Sequence, residues 1–143
     1  MAIVIEQVAC LDDNYGFLLH DTDSGATATI DTPEVEPLNA ALNKHGWKLT
    51  HILNTHHHFD HAGGNEALKA QWSCEVVGAA SDIERIPGID KQVVEGDEFR
   101  LGNTLVRVFE VPGHTSGHIA YHLPEESVVF VGDTLFALGC GRL

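Results

Sequence analysis

The stretch Thr55-His56-His57-His58-Phe59-Asp60-His61-Ala62-Gly63-Gly64-Asn65 follows the apolar pair Ile52-Leu53, and the rest of the chain is read outward from it. Four histidines and one aspartate fall between His56 and His61. Imidazole and carboxylate are preferred ligands of zinc and of neighbouring first-row metals. The spacing H-x-H-x-D-H carries more information than the count. In an extended or tightly looped backbone alternate side chains share a side, so His56, His58 and Asp60 can converge while His57 and Phe59 point away. His61, adjacent to Asp60, faces differently, so one short loop can feed two neighbouring metal positions. Any one of these histidines alone reads as polar surface. The full pattern, followed by paired glycines and a helix-like stretch, reads as a metal site.

The chain has 143 residues, enough for one domain with a substantial core and too few for two. Its 43% hydrophobic and 20% charged content is that of a soluble globular protein. No window has the length of an apolar transmembrane helix, and Met1-Ala2-Ile3-Val4-Ile5-Glu6 has neither the basic region nor the cleavage site of a secretory signal. Cys10, Cys74 and Cys140 are odd in number and widely spaced, which predicts neither a disulfide framework nor a thiolate zinc site. A reducing cytoplasm is the expected location. The formal net charge of −13 argues against nucleic acid as a partner. Bound divalent cations would reverse that sign locally, leaving room for a small anionic substrate.

Ile3 to Val8, Tyr15 to Leu19 and Ala26 to Ile30 read as strands of an antiparallel meander, with turns at Asp12-Asp13-Asn14 and Asp21-Thr22-Asp23-Ser24-Gly25. Thr32 as cap and Pro33 at the first helical position predict a helix with Leu38, Ala41 and Leu42 on its apolar face and Gly46 as its stop. Leu49 to Leu53 reads as a strand, Asn65 to Trp72 as a second helix and Cys74 to Val77 as the next strand. This order predicts a sheet covered by helices on one face. Ala79 to Gly96 is acidic and irregular, broken by Pro87-Gly88. Two hairpins are then expected. One joins Phe99 to Leu101 and Leu105 to Val111 around Gly102-Asn103; the other joins Ile119 to Leu123 and Val128 to Val131 around Pro124-Glu125-Glu126.

Two later loops echo the first, each placing a residue able to ligate a metal beside an apolar strand. Val111-Pro112-Gly113-His114-Thr115-Ser116-Gly117-His118 puts His114 at a strand exit, and Phe130-Val131-Gly132-Asp133-Thr134 does the same for Asp133. Alone, each reads as an ordinary turn residue. Ligands at the ends of separate strands are a common way for a sheet scaffold to build a site.

In that order the three motifs resemble those of the metallo-β-lactamase superfamily. Asp13-Asn14-Tyr15, the histidine stretch, and Gly132-Asp133-Thr134-Leu135-Phe136 with Gly139-Cys140-Gly141-Arg142 resemble glyoxalase II (hydroxyacylglutathione hydrolase) in particular. The resemblance implies an α+β fold, the αββα sandwich, with its site at the sheet ends. It implies that His56, His58 and His114 hold one metal ion, that Asp60 and His61 hold a second, and that Asp133 bridges both. Two zinc ions are implied, with iron or manganese accepted in the same positions. Arg142 stands where the family has a basic residue contacting glutathione. The implied reaction is hydrolysis of S-(2-hydroxyacyl)glutathione thioesters, S-D-lactoylglutathione to D-lactate and glutathione, by a metal-bound hydroxide in methylglyoxal detoxification. The resemblance implies that Asp133 holds the ions together and that Asp60 orients the hydroxide.

The family places a further metal-2 histidine after the Gly-Asp-Thr motif, and a helical C-terminal domain that binds glutathione. Neither is found before Leu143, so residues 1–143 are expected to be the N-terminal part of such an enzyme, one metallo-β-lactamase-like domain incomplete at its C-terminus. If later strands are missing, Val128 to Val131 is expected to expose a sheet edge, with self-association or marginal stability as the consequence. The alternatives are a persulfide dioxygenase-like enzyme using one iron, and an inactive metal-binding fragment of the hydrolase. A β-lactam hydrolase would want an export signal, and a nuclease a basic groove, against which stand 8 Lys plus Arg and 21 Asp plus Glu.

His20, His45, His51, His57 and His122 belong to no motif and read as surface or structural, and His118 as packing. Trp47 and Trp72 read as packing residues at helix ends, and Cys140 as a small buried residue.

Overall fold

A computed structural model of the protein describes residues 3–10, 14–32, 34–55, 64–80, 88–110, 119–124, 128–131 and 134–137. The first sheet contains β1 (Ile3–Cys10), β2 (Asn14–Asp21), β3 (Thr27–Ile30), β4 (His51–Leu53), β5 (Glu75–Ala79) and β6 (Lys91–Val93), in that spatial order. β1 to β3 are antiparallel, as the turn signals predict, and β3 to β6 run parallel. The second sheet contains β7 (Glu98–Leu101), β8 (Thr104–Glu110), β9 (Ile119–Leu123), β10 (Val128–Val131) and β11 (Thr134–Ala137), each antiparallel to its chain neighbour. Helices α1 (Val35–His45) and α2 (Asn65–Trp72) occupy the connections on either side of β4.

The first sheet is covered on both faces at its centre, which is why Ile52-Leu53 of β4 and Val76-Val77 of β5 are apolar runs rather than alternating ones. Leu18, Ile52 and Val76 pack with Leu38, Ala41 and Leu42 of α1 and Leu68 of α2. Their chain neighbours Phe17, Leu19, Leu53 and Val77 face the other way, onto Val106, Val108, Tyr121 and Phe130 of the second sheet. The layers are therefore helix, sheet, sheet: an α+β sandwich of the expected kind. The expected second outer helical layer is not seen among the described residues.

Three expectations need correction. Thr32 does not cap α1; Glu34 occupies that position without a side-chain cap bond, and the Thr32 hydroxyl is bonded elsewhere. Lys91–Val93, read as part of an irregular stretch, pairs in parallel with β5. Val128–Val131 is not an edge, because β11 pairs along it; the second sheet ends at β11 and β7. The expected stop at Gly46 holds, with φ 70° and the Trp47 amide donating to Leu42 O at 3.0 Å. Trp47 packs as expected, its indole stacked on the rings of His20 and His45 at 4.5 and 4.1 Å. The Asp12-Asp13 turn and Pro33 lie outside the described residues.

At one end of the sandwich the sheets are fastened by Asp21, a carboxylate at the rim yet shut off from solvent. Its Oδ1 accepts from the Asp23 amide at 2.9 Å, and its Oδ2 from the Asn103 amide at 2.6 Å and the Thr104 hydroxyl at 3.3 Å. Burial pushes its pKa up, but these bonds outweigh burial and hold it below the usual carboxylate range. Gly102 makes the approach feasible. Its φ is 60°, and a Cβ there would overlap the Ser24 hydroxyl and lie 2.8 Å from Asp21 Oδ2. A depressed folded pKa gives stability that is present above the unfolded value, about 4, and is lost as pH falls through the folded value. Asp21→Asn is therefore expected to cost about 1–3 kcal/mol at pH 7, with wild type and variant converging as melts are repeated toward pH 3. An undiminished gap at pH 3 would contradict this assignment.

Candidate metal centre

The residues flanking all three motif segments lie at the opposite end of the sandwich. The C-terminal ends of β3 and β4 lie side by side there, with Ile30 registered against Leu53. In the second sheet, Glu110 pairs with Ile119 on either side of residues 111–118, and Val131 pairs with Thr134 on either side of residues 132 and 133. The two sheet ends are joined directly, because the Ile119 amide donates to Thr55 O at 2.8 Å. His56, His58, Asp60, His61, His114, Asp133 and Arg142 themselves lie outside the described residues, as do His57, His118 and Cys140. Among the described residues no group of three His, Cys, Asp or Glu could hold a metal ion.

What is described is the frame around the histidine segment, a network of fully buried polar side chains. Asp31, Thr32, Asn54, Thr55 and Asn65 expose no surface. Asp31 accepts from the Thr55 amide through Oδ1 and from the Thr55 hydroxyl through Oδ2, each at 2.7 Å. Its own amide donates to Leu53 O at 2.9 Å, and its carbonyl accepts from the Thr29 hydroxyl at 2.8 Å. Thr32, the next residue, holds the other end of the segment. The Gly64 amide donates to Thr32 O at 2.9 Å and also approaches Thr32 Oγ1 at 3.1 Å. The Thr32 hydroxyl donates to Asn65 Oδ1 at 2.6 Å, and the Asn65 amide group donates to Asn54 Oδ1 at 2.5 Å. A Cβ on Gly64 would stand 3.0 Å from Val35 Cγ2 and 3.1 Å from Thr32 O, so glycine is what lets the backbone pass this close.

Tyr121 completes the frame from the second sheet. Its hydroxyl donates to Asn54 O at 2.6 Å, and burial followed by the nearby Asp31 charge raises its pKa well above the usual phenol value. It stays protonated, as a donor must. Every buried polar group needs a partner, and here the partners are provided across sheet ends.

Sequence reasoning passes over Asp31, Asn54 and Tyr121. The available signal is a repeated punctuation: Ile30-Asp31-Thr32 and Leu53-Asn54-Thr55 each end an apolar strand with a short polar side chain followed by threonine. Of the histidines outside the motifs, the described ones pack among their neighbours, His20 and His45 on Trp47. His51 sits beside Thr50 Oγ1 at 2.8 Å and is half-buried against Glu75, and His122 lies against the Phe109 ring.

The donor set in the three segments, imidazole nitrogen with carboxylate oxygen and no thiolate, fits zinc, iron or manganese. Buried bonds anchor Thr55 and Gly64, the residues on either side of the histidine run, as a metal site requires of its supporting shell.

Comparison with known proteins agrees with this architecture. Over 141 residues the chain is 55% identical to the hydroxyacylglutathione hydrolase of Maricaulis maris, covering 99% of this chain and 55% of that protein. It is 56% identical to the hydroxyacylglutathione hydrolase of Methylococcus capsulatus, covering 97% of this chain and 54% of that protein. The chain thus spans about half the length of the curated relatives it matches. Among solved structures, the BLEG-1 B3 metallo-beta-lactamase superposes with a TM-score of 0.79 at 24% identity, over 93% of this chain and 73% of that one. ETHE1 from Myxococcus xanthus superposes with a TM-score of 0.69 at 29% identity, over 84% and 53%. The family model described as "Metallo-beta-lactamase superfamily" matches residues 22–143, from the end of β2 through all three motif segments. The chain belongs to the metallo-beta-lactamase superfamily.

Proposed function

We propose that this chain carries the metal centre of a thioester hydrolase acting on S-(2-hydroxyacyl)glutathione, releasing a 2-hydroxy acid and glutathione. One observation carries the reading: the flanks of the histidine segment and of the His114 segment are bonded to each other at Thr55 and Ile119, in a chain 55% identical to a hydroxyacylglutathione hydrolase. In this reading His56, His58 and His114 hold one zinc ion, Asp60 and His61 a second, and Asp133 both. When bound, such ions activate water near neutral pH and offset charge that develops on the carbonyl oxygen.

The remaining work falls to the chain. Asp60 accepts a hydrogen bond from the attacking water and aims it at the thioester carbonyl. Asp133 would hold both ions. Arg142 pairs with a carboxylate of the glutathione moiety, a match for guanidinium geometry. The leaving group is a thiol of ordinary pKa, about 8.5, so it departs as thiolate without a dedicated acid. A chain of net charge −13 holds such an anionic substrate only where bound cations invert the local field. The reducing cytoplasm is the compartment we assign, in keeping with Cys74 as a free, buried thiol. Among the described residues no helix is long and apolar enough to cross a membrane.

The test is hydrolysis of S-D-lactoylglutathione by this chain loaded with zinc, beside a chelator-treated control. Chelator-sensitive turnover is expected. Zinc retained without turnover would reject the hydrolase reading in favour of metal binding alone.

A further inference from the structure

We propose that His20, Trp47 and His45 form a proton-sensitive latch at the C-terminal end of α1. It holds that end on the edge of the first sheet while His20 is uncharged and releases it when His20 takes up a proton. No residue of the candidate metal centre takes part. Three rings lie face to face: the Trp47 indole is stacked on His20 of β2 at 4.5 Å and 5°, and on His45, the last residue of α1, at 4.1 Å and 14°. His45 Nε2 donates to the Glu6 carboxylate of β1, so the stack ties the helix end to the first two strands of the sheet. Trp47 also closes the helix. Its amide donates to Leu42 O at 3.0 Å, and its indole packs against the cluster that contains Leu18, Leu38 and Leu42.

The surroundings of His20 suit an uncharged ring. The Thr27 hydroxyl, fully buried on β3, has two acceptors within reach, His20 Nδ1 at 2.7 Å and Gly25 O at 3.4 Å. It donates to the nearer, which makes Nδ1 an acceptor and leaves the ring proton on Nε2. A proton on Nδ1 would turn the hydroxyl toward Gly25 O, at the limit of a hydrogen bond. The charged neighbours divide. From β2, the Asp21 carboxylate favours a cation at His20, but its oxygens are already bonded by Asp23, Asn103 and Thr104. From α1, His45 opposes a cation there, and Glu6 of β1 is paired with His45. Lys44 and Lys48, exposed residues flanking His45 and Trp47 in sequence, add further positive charge. An indole face attracts a cation by only about 0.5–1 kcal/mol at exposed sites. Burial has the largest influence, and the net effect lowers the His20 pKa below the ordinary imidazole value. A group depressed in this way contributes stability above its unfolded pKa, about 6.5, and loses it as pH falls through the folded value.

The latch is read by hydrogen exchange of the backbone amides, well below the melting temperature, with each rate compared with that of an unstructured peptide at the same pH. The Trp47 and Gly46 amides, bonded to Leu42 O and Asn43 O, report on the helix end, and those of β8 and β9 report on the second sheet. Protection at Trp47 and Gly46 is expected to fall by up to about tenfold between pH 7.5 and 5.5, the limit for one proton bound only in the open form. Protection in β8 and β9 is expected to hold. His20→Phe keeps a ring against the indole and takes no proton, so in that variant the fall is expected to vanish. An NMR titration of the His20 ring in the parent chain needs no variant, and its midpoint is expected below about 6.5. An absent fall, or one shared equally by β8 and β9, would overturn the latch. So would a fall that persists in folded His20→Phe, or a His20 midpoint at or above about 6.5.

Discussion

Replacing His56 by alanine, or Asp133 by asparagine, is expected to abolish thioester turnover while the sandwich stays folded. Under the proposed mechanism each change removes a group that holds an ion, so activation of water and charge compensation at the carbonyl fail together. Loss of a single oxyanion-stabilising donor costs about 10²–10³ in rate. A metal ligand supports both steps, so the fall is expected to reach about 10³ or more. Asp133→Asn keeps the shape of the side chain and removes its charge, which separates electrostatics from packing. The fold is expected to survive because its core and its buried polar frame are built from other residues, among them Asp31, Asn54, Asn65 and Tyr121. The measurement pairs turnover with bound-metal content and a thermal melt. Turnover within tenfold of the parent in either folded variant would remove the metal-dependent mechanism.

The largest effect on stability is expected from Phe130→Ala. Phe130 is fully buried in the second sheet, and its ring meets that of Phe17 in the first at a centroid distance of 5.3 Å and a tilt of 57°. Truncation removes apolar burial from both sheets and leaves a cavity that backbones fixed by strand pairing cannot close. The cost is expected to be about 3–5 kcal/mol in chemical denaturation. Phe109, on β8, is 39% exposed, and Phe109→Ala is expected to cost well under half as much. Equal losses at the two positions would show that the interface between the sheets is not where the stabilising burial lies.

Much of this architecture was legible in the residues because its signals are local. Gly46 stops α1, the Asn65 to Trp72 pattern matches α2, and Gly102-Asn103 turns the β7–β8 hairpin. The parts that were not legible depend on partners far away in the chain. Thr32 looks like a helix cap, since a threonine before proline and glutamate usually is one, but Asn65 and Gly64 claim its hydroxyl and carbonyl. Lys91–Val93 carries no alternation because a short parallel strand beside β5 needs none. β11 was missed because Thr134 to Phe136 were read only as part of a motif, and that omission placed a sheet edge at β10. In the candidate site the spacing singles out the expected ligands, and these lie outside the described residues. The frame was not legible, since a buried aspartate followed by threonine looks in sequence like any turn.

The bond between Ile119 and Thr55 also bears on the order in which the molecule assembles. The second sheet is a simple up-and-down meander, each strand paired with its neighbour in the chain, so its contacts are local and quick to form. The first sheet needs two helical crossovers around β4 before its parallel strands can pair. Thr55 belongs to the slower half and Ile119 to the faster one, so their contact exists only after the two halves have docked. An ion held by segments from both would bind the finished protein and not its precursors. At a free concentration of 100 times its dissociation constant it would add about 2.7 kcal/mol to the docked state. The metal content of a preparation would then count the molecules that have completed folding.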